Sequence, residues 1–369
     1  MNVGKCMSYL RTTCRLCKST DMIKFLSLGK TPLANSYLKP EELKIPEPSY
    51  PLETYFCQDC GLVQLLDIIP GEVLFRNYLY ISSTAPSYIE HFTKYAQDIV
   101  KRFDLTDESF VIEFGSNDGI LLKPLKNLGI KTLGVDPAEN IAKTATENGI
   151  PTMAEFFNED LAQQLVNDKG VVDIVVARNV IPHVKEIHSV IEGISILLDQ
   201  NSTGVIEFHD AGLILKELHY DSIYHEHLFY FSLKTICFLL NQHGLHVYDL
   251  VSSPISGGSW IIYFSKKNQP KSEAMKRIEE QETTTGLNKI ESWIDFAEKT
   301  KKHKSKLQEM TNNPSESAER ISEQRAIRGW ENQNGMIIWP RSSGMKVRME
   351  IVFDILIIKV LRIGNYRII

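Results

Sequence analysis

Through the middle of the chain, short apolar runs alternate with longer stretches of mixed polarity. Phe110–Phe114, Lys131–Val135, Val171–Ala177 and Thr203–Phe208 each predict a strand. Leu121–Leu128, Ile141–Asn148 and Ile187–Leu198, lying between them, predict helices. Such alternation points to an α/β fold with a parallel, doubly wound sheet. The flanks read differently. Residues 11–70 are short strands and turns, punctuated by Gly29, Pro32, Pro40, Pro46, Pro48 and Pro51. Residues 71–105 begin aromatic, with Phe75, Tyr78 and Tyr80, and turn helical from Ser87 to Phe103. Beyond Leu250 the alternation fades. Ser256–Ser265 predicts a turn feeding a strand, and Lys271–Met310 a charged helical stretch. The expected units are 11–72, 73–250 and 251–369, with no internal repeat.

Composition and charge exclude several classes. A chain of 369 residues, 43% hydrophobic and 24% charged, suits a soluble enzyme of two or three units. A net charge of −5 offers no basic field for nucleic acid. A membrane span needs about 18 apolar residues in a row. The nearest run, Ile351–Ile363, is broken by Asp354, Lys359 and Arg362. Met1–Leu16 lacks the apolar centre of a secretory signal, so a cytoplasmic location is expected.

Just past the first predicted strand comes Glu113-Phe-Gly115-Ser116-Asn117-Asp118-Gly119. Glycines there let the backbone turn tightly and approach a ligand. The position is the crevice at the carboxyl end of a strand. The glycine spacing is not the G-x-G-x-x-G of dinucleotide folds, which aim a helix at a pyrophosphate. Carboxylates at Glu113 and Asp118 would repel a pyrophosphate but suit a sulfonium and an ammonium. Asp136 ends the next strand, 21 residues after Gly115, where an acid can accept both hydroxyls of a ribose. Together these residues predict S-adenosylmethionine as the cofactor.

Four of the six cysteines form two C-x-x-C pairs, Cys14/Cys17 and Cys57/Cys60, with 39 residues between the pairs. Two tight turns supplying four thiolates suit a closed tetrahedral Zn²⁺. The site is expected to be structural, steadying a unit too small to bury a sufficient core.

A polar cluster follows the last core strand. Glu207-Phe-His-Asp210 ends the strand, and Tyr224-His-Glu-His227 comes soon after. Histidine can take a proton near neutral pH, tyrosine can donate to an oxyanion, and glutamate can orient the histidine. Such a set suits proton abstraction next to a carbonyl. Periodicity leaves the partner of Tyr224 open: Glu226 in a strand, His227 in a helix. A second metal site built on His225, His227 and a carboxylate also stays open.

These stretches, with Pro32-Leu-Ala-Asn35, Gly61-Leu-Val-Gln64, Tyr78-Leu-Tyr-Ile-Ser-Ser83, Gly134-Val-Asp-Pro137, Ala177-Arg-Asn-Val-Ile-Pro-His183 and Ser256-Gly-Gly-Ser259, resemble one family. It is the sugar C-methyltransferases of deoxysugar biosynthesis, which methylate C3 of nucleoside-diphosphate 4-keto-6-deoxyhexoses. The resemblance runs from residue 14 to about 265. It implies a zinc domain, a class I methyltransferase domain and a Rossmann-like C-terminal domain that helps hold the sugar nucleotide. It implies His227 as base, Tyr224 and Glu226 assisting, and His183 and Tyr78 lining the pocket. It adds Pro137, Arg178 and Asn179 to the cofactor residues. His225 fills an unspecified place in the motif and is given no catalytic part.

One stretch departs from the family. Its glycine-rich loop after the polar helices is replaced by Arg328-Gly-Trp-Glu-Asn-Gln-Asn-Gly-Met-Ile-Ile-Trp-Pro340. The last 29 residues carry six Lys/Arg and two acids, with no clear strand-helix order. A truncated or frame-shifted C-terminal domain is expected, and with it an alternative: a zinc-containing cofactor-binding protein with impaired catalysis.

Overall fold

The computed structural model describes residues 9–36, 38, 45–75, 81–84 and 86–312. The chain opens with β1 (Tyr9–Leu10), β2 (Met22–Thr31), β3 (Tyr50–Cys57), β4 (Val63–Leu65) and β5 (Asp67–Ile68). Helices α1 (Gly71–Phe75) and α2 (Pro86–Arg102) lead to the central sheet. There the order is β6 (Phe110–Phe114), α3 (Leu122–Asn127), β7 (Lys131–Val135), α4 (Glu139–Glu147) and β8 (Thr152–Met153). Next come α5 (Glu159–Lys169), β9 (Ile174–Arg178), α6 (Ile187–Leu197) and β10 (Thr203–His209). The remainder is α7 (Ala211–Glu217), β11 (Phe229–Tyr230), α8 (Leu233–Asn241), β12 (His246–Ser253), β13 (Ser259–Ser265), α9 (Glu273–Thr285) and α10 (Ile290–Asn312).

Seven strands form the central sheet, in the order β12-β13-β10-β9-β6-β7-β8. Alternation along each strand divides its side chains between two cores. Val111, Ile174, Val176 and Val205 share one buried cluster with Phe92, Tyr95 and Ile99 of α2. Ile112, Phe114, Val175, Ala177, Ile206 and Phe208 share the other with α5, α6 and α8. Helices thus cover both faces, as a doubly wound sheet requires. The sheet is mixed, however, and not wholly parallel. β13 runs antiparallel to both β10 and β12. The short turn at Pro254–Gly258, with Gly257 and Gly258 at positive φ, allows only a hairpin. The sheet therefore continues to Ser265. Likewise, the single helical stretch expected over 271–310 is two helices. Gly286 ends α9 in the left-handed conformation.

The N-terminal strands are tied to the rest of the molecule. β2, β3 and β4 pair antiparallel, and β11 adds a fourth strand through Phe229↔Gln64 and Tyr230↔Val63. That strand lies more than 160 residues further along the chain. On the far side, the Trp293 ring of α10 lies 5.5 Å from Phe25 of β2. His303 Nδ1 meets the Tyr220 hydroxyl at 2.9 Å. Among the described residues no helix is long and apolar enough to cross a membrane. Tyr78 and the anomalous stretch after 328 lie outside the described residues.

Candidate active site and metal centre

The turns before β2 and after β3 bring the four paired cysteines together. Their sulfurs all lie within 4.8 Å of one another, and none is in a disulfide. Cys14 and Cys60 are 3.6 Å apart, Cys17 and Cys57 3.4 Å. Zn–S bonds of about 2.3 Å in a tetrahedron would set the sulfurs about 3.8 Å apart, so the cluster fits zinc. The thiols oppose one another's ionisation. Cys60 draws the Cys14 thiol down to about 5, while burial pushes Cys17 up to about 12. A divalent cation removes that conflict. The Gln64 amide donates to Cys14 Sγ at 3.2 Å, and its oxygen accepts from Arg15 N–H, bracing the first knuckle.

The acidic glycine loop sits where the sequence places it, at the carboxyl end of β6. Gly115, Asn117 and Gly119 all have positive φ. Gly115 N–H donates to Val135 O at 2.7 Å, drawing the loop against β7. Asp136 accepts from Asn117 N–H through one oxygen, at 2.8 Å, and from Ala138 N–H through the other, at 2.9 Å. Pro137 stands half-buried between these residues. Beyond β9, Asn179 also takes positive φ and donates its N–H to Glu207 O. The expected cofactor residues therefore converge on the ends of β6, β7 and β9.

Two contacts there were not foreseen. Arg178 places Nε and Nη2 each 2.7 Å from Glu113 Oε1, and its guanidinium lies 3.9 Å over the Phe92 ring. Part of the Glu113 charge is thus already matched, although burial pushes its carboxyl up to about 7 against the pull of Arg178. Asn117 Oδ1 and Asp118 Oδ2 accept from the N–H groups of Ser82 and Ser83, which docks that segment on the loop. Glu113 Oε2, Ser116 Oγ and Asp118 Oδ1 are buried with no hydrogen-bond partner among the described residues. Such atoms cost about 1–3 kcal/mol each when left unsatisfied, so the loop fits a polar ligand. The glycines are required. A Cβ on Gly115 would lie 2.7 Å from Val180 Cγ2, at φ +64°. Gly115→Ala is expected to weaken S-adenosylhomocysteine binding at least about tenfold and cost about 1–2 kcal/mol of stability. Calorimetry and thermal melting check this. Unchanged affinity would show that the loop does not approach the cofactor.

The polar cluster forms one turn. His227 N–H donates to Tyr224 O at 2.9 Å. This brings the Tyr224 hydroxyl to His227 Nε2 at 2.8 Å, so the open question of pairing is settled in favour of His227. His227 Nδ1 lies 3.0 Å from Ser222 O. A carbonyl only accepts, so Nδ1 carries the proton and Nε2 offers its lone pair to Tyr224. The His183 and His227 ring centroids are 4.8 Å apart, edge to face. Glu226 turns away and accepts from Asn35 Nδ2 at 2.8 Å, a partner from the N-terminal unit 191 residues distant. His225 also turns away, its Nε2 facing the Tyr50 and Pro51 carbonyls. No metal-ligand group includes it among the described residues.

Sequence reasoning gave no role to His209, the last residue of β10. It is 8% exposed, and its Nε2 is buried without a partner among the described residues. Its place at a strand's carboxyl end was the available signal. Burial lowers the His183 imidazole to about 4. His227 falls to about 3 through burial and then His183, and His209 to about 3 through burial and then His227. All three are held neutral. Their folded values lie below the ordinary value of about 6.5, so the unfolded chain binds protons first as pH falls. Stability is expected to hold above pH 7. Below about 6.5 it falls by up to about 1.4 kcal/mol per pH unit for each group, until the folded values are reached. Urea unfolding between pH 8 and 5, with zinc content checked at each pH, measures it. A flat midpoint down to pH 5 would contradict the neutral burial.

A mixed seven-stranded sheet of this order, with an acidic glycine loop at its first strand, is that of a class I S-adenosylmethionine-dependent methyltransferase. Residues 14–75 match a zinc binding domain family, 88–250 a methyltransferase domain family and 254–324 the C-methyltransferase C-terminal domain family. C-methyltransferase NovU of Streptomyces niveus is 33% identical over 300 residues, covering 80% of this chain and 71% of that one. The chain belongs to the S-adenosylmethionine-dependent C-methyltransferases with an N-terminal zinc-binding domain. Among solved structures, magnesium protoporphyrin IX methyltransferase from Synechocystis PCC 6803 is 18% identical at a TM-score of 0.36, covering 48% of this chain and 80% of its own. The PH0226 protein of Pyrococcus horikoshii OT3 is 12% identical at 0.38, covering 51% and 95%.

Proposed function

We propose that the protein methylates C3 of a nucleoside-diphosphate 4-keto-6-deoxy sugar by way of an enolate. The observation that carries this reading is the Tyr224–His227 pair. It is a neutral imidazole with one nitrogen fixed on Ser222 O and the other on a phenol. S-adenosylmethionine, held by Glu113, Gly115, Ser116, Asn117, Asp118, Gly119, Asp136, Pro137, Arg178 and Asn179, supplies an electrophilic methyl group. A carbon becomes the matching nucleophile by losing a proton next to a ketone. His227 Nε2 is the base. The Tyr224 hydroxyl on that nitrogen passes its proton inward as it takes one from the substrate. Glu226, held by Asn35, fixes the turn that presents the pair. His183 packs on the His227 ring and keeps it dry. By its motif, Tyr78 is assigned to the substrate-binding residues. Four thiolates leave no open coordination position, so the zinc is structural.

The test is mass spectrometry of products from S-adenosylmethionine and a panel of nucleoside-diphosphate 4-keto-6-deoxyhexoses, with the methylated carbon located by NMR. A product 14 mass units heavier, methylated at C3, is expected. Tight binding of S-adenosylhomocysteine without turnover of any panel member would sink the sugar reading. It would leave a cofactor-binding protein with impaired catalysis.

A further inference from the structure

We infer that His209 is a further catalytic residue, one that donates its Nε2–H to the ketone oxygen of the acceptor as the enolate forms. This rests on the reading above that the site removes a proton from carbon next to a carbonyl. Three observations carry it. His209 ends β10 at the carboxyl edge of the sheet, beside the strand that leads into Asn179 and His183. Its Nε2 is buried and has no partner among the described residues, although the residue is more than nine-tenths buried. A nitrogen left in that state costs about 1–3 kcal/mol unless a ligand meets it. Finally, the His209 ring centroid lies 5.8 Å from that of His219, and burial holds its imidazole neutral.

Both imidazoles of the turn have carbonyl partners. His227 has Ser222 O on one nitrogen and Tyr224 on the other. His225 faces two carbonyls of the N-terminal unit. His209 Nε2, His183 Nδ1 and His225 Nδ1 are buried without a partner among the described residues, and of these three histidines only His209 ends a strand of the central sheet. Geometry of the acceptor asks for a second group, because the ketone oxygen is two bonds from the carbon that loses its proton. In the step, the C–H bond breaks and its proton goes to the Tyr224–His227 pair. The electron pair moves through the new C=C to the ketone oxygen. His209 keeps its own proton and stabilises that oxygen by hydrogen bonding. A neutral imidazole suits this part, since it donates without repelling a protonated His227.

Two variants test it in the full chain, His209→Phe and His209→Gln. The probe is thymidine-diphosphate 4-keto-6-deoxyglucose in D₂O with S-adenosylhomocysteine in place of the methyl donor. NMR follows exchange at C3, and calorimetry and melting follow cofactor affinity and stability. The wild type is expected to exchange the C3 proton. His209→Phe should slow exchange by about 10²–10³-fold, the usual effect of removing one oxyanion donor. Cofactor affinity should be unchanged and melting no lower, because an apolar ring replaces an unsatisfied nitrogen. His209→Gln, which retains an N–H donor, should recover part of the rate. Exchange at the wild-type rate in both variants would overturn the inference while leaving the enolate reading intact. So would a fall in exchange matched by a fall in melting temperature and cofactor affinity in both variants, which marks a structural role. Absence of exchange in the wild type would remove the enolate reading, and this inference with it.

Discussion

Turnover is expected to fall by at least about a thousandfold when His227 is replaced by asparagine, with affinity for S-adenosylhomocysteine within about twofold of wild type. General bases contribute roughly 10²–10⁴ in rate, and His227 Nε2 is the base in the proposed reaction. Asparagine keeps a donor that can reach Ser222 O, so the turn from Tyr224 should persist. It offers no basic nitrogen to Tyr224. The cofactor loop is built on β6, β7 and β9 and does not depend on this side chain. Tyr224→Phe should cost less, because it removes the phenol but leaves Nε2 to act directly. Turnover by initial rate and cofactor affinity by calorimetry separate the two effects. Near wild-type turnover in the asparagine variant would remove His227 as base, and equal losses in both quantities would mark it as structural.

The second large effect is expected at the metal. Cys57→Ser should reduce zinc from about one per chain to none and unfold the N-terminal sheet. Zinc sites of this kind contribute about 10–16 kcal/mol in isolated fingers, comparable with the whole stability of a domain. The loss should spread to the Tyr224–His227 turn. Asn35 would no longer hold Glu226, and β11 would lose its pairing with β4. Turnover should therefore collapse although no thiolate touches substrate. Elemental analysis, circular dichroism and activity measure the three consequences. A folded, metal-free, active variant would contradict the assignment.

Much of the central sheet was legible because its signal is local. β6 and β7 occupy the residues that the apolar runs predict. β9 starts three residues late, at Ile174, because Val171 and Val172 precede the pairing with β6 and β10. β8 was not legible at all. It has two residues, and only the pairing of Gly134 with Thr152 and Val135 with Met153 makes it a strand. By contrast, α5 carried a readable signal that went unused: Asn158 caps it, and Leu161, Ala162 and Leu165 form its buried face. β12 was hidden by mixed polarity, which a strand at the sheet's edge tolerates.

At the site the same division holds. The cysteine pairs and the glycine loop are short motifs whose spacing is their geometry. The contacts that bind distant segments are not written in any window of sequence. Asn35 with Glu226, Arg178 with Glu113, and Ser82 with Asn117 are products of the folded topology. For the same reason the pattern around Tyr224 could not choose between strand and helix. The structure makes it a turn, which exists because Leu228 is fixed at both ends: its N–H on Pro182 O and its carbonyl on Leu65 N–H.

The late arrival of β11 also bears on how the molecule is made. During synthesis the four cysteines emerge within the first 60 residues and can capture zinc early. The outer edge of β4 then stays open until Phe229 and Tyr230 have been translated. At about 5–20 residues per second, that interval lasts on the order of ten seconds or more, and an exposed strand edge is a template for pairing with other chains. The nascent protein thus has a window in which it is metal-loaded yet unsealed. Chaperone occupancy and aggregation on stalled ribosomes should peak before residue 230 leaves the exit tunnel and decline after it.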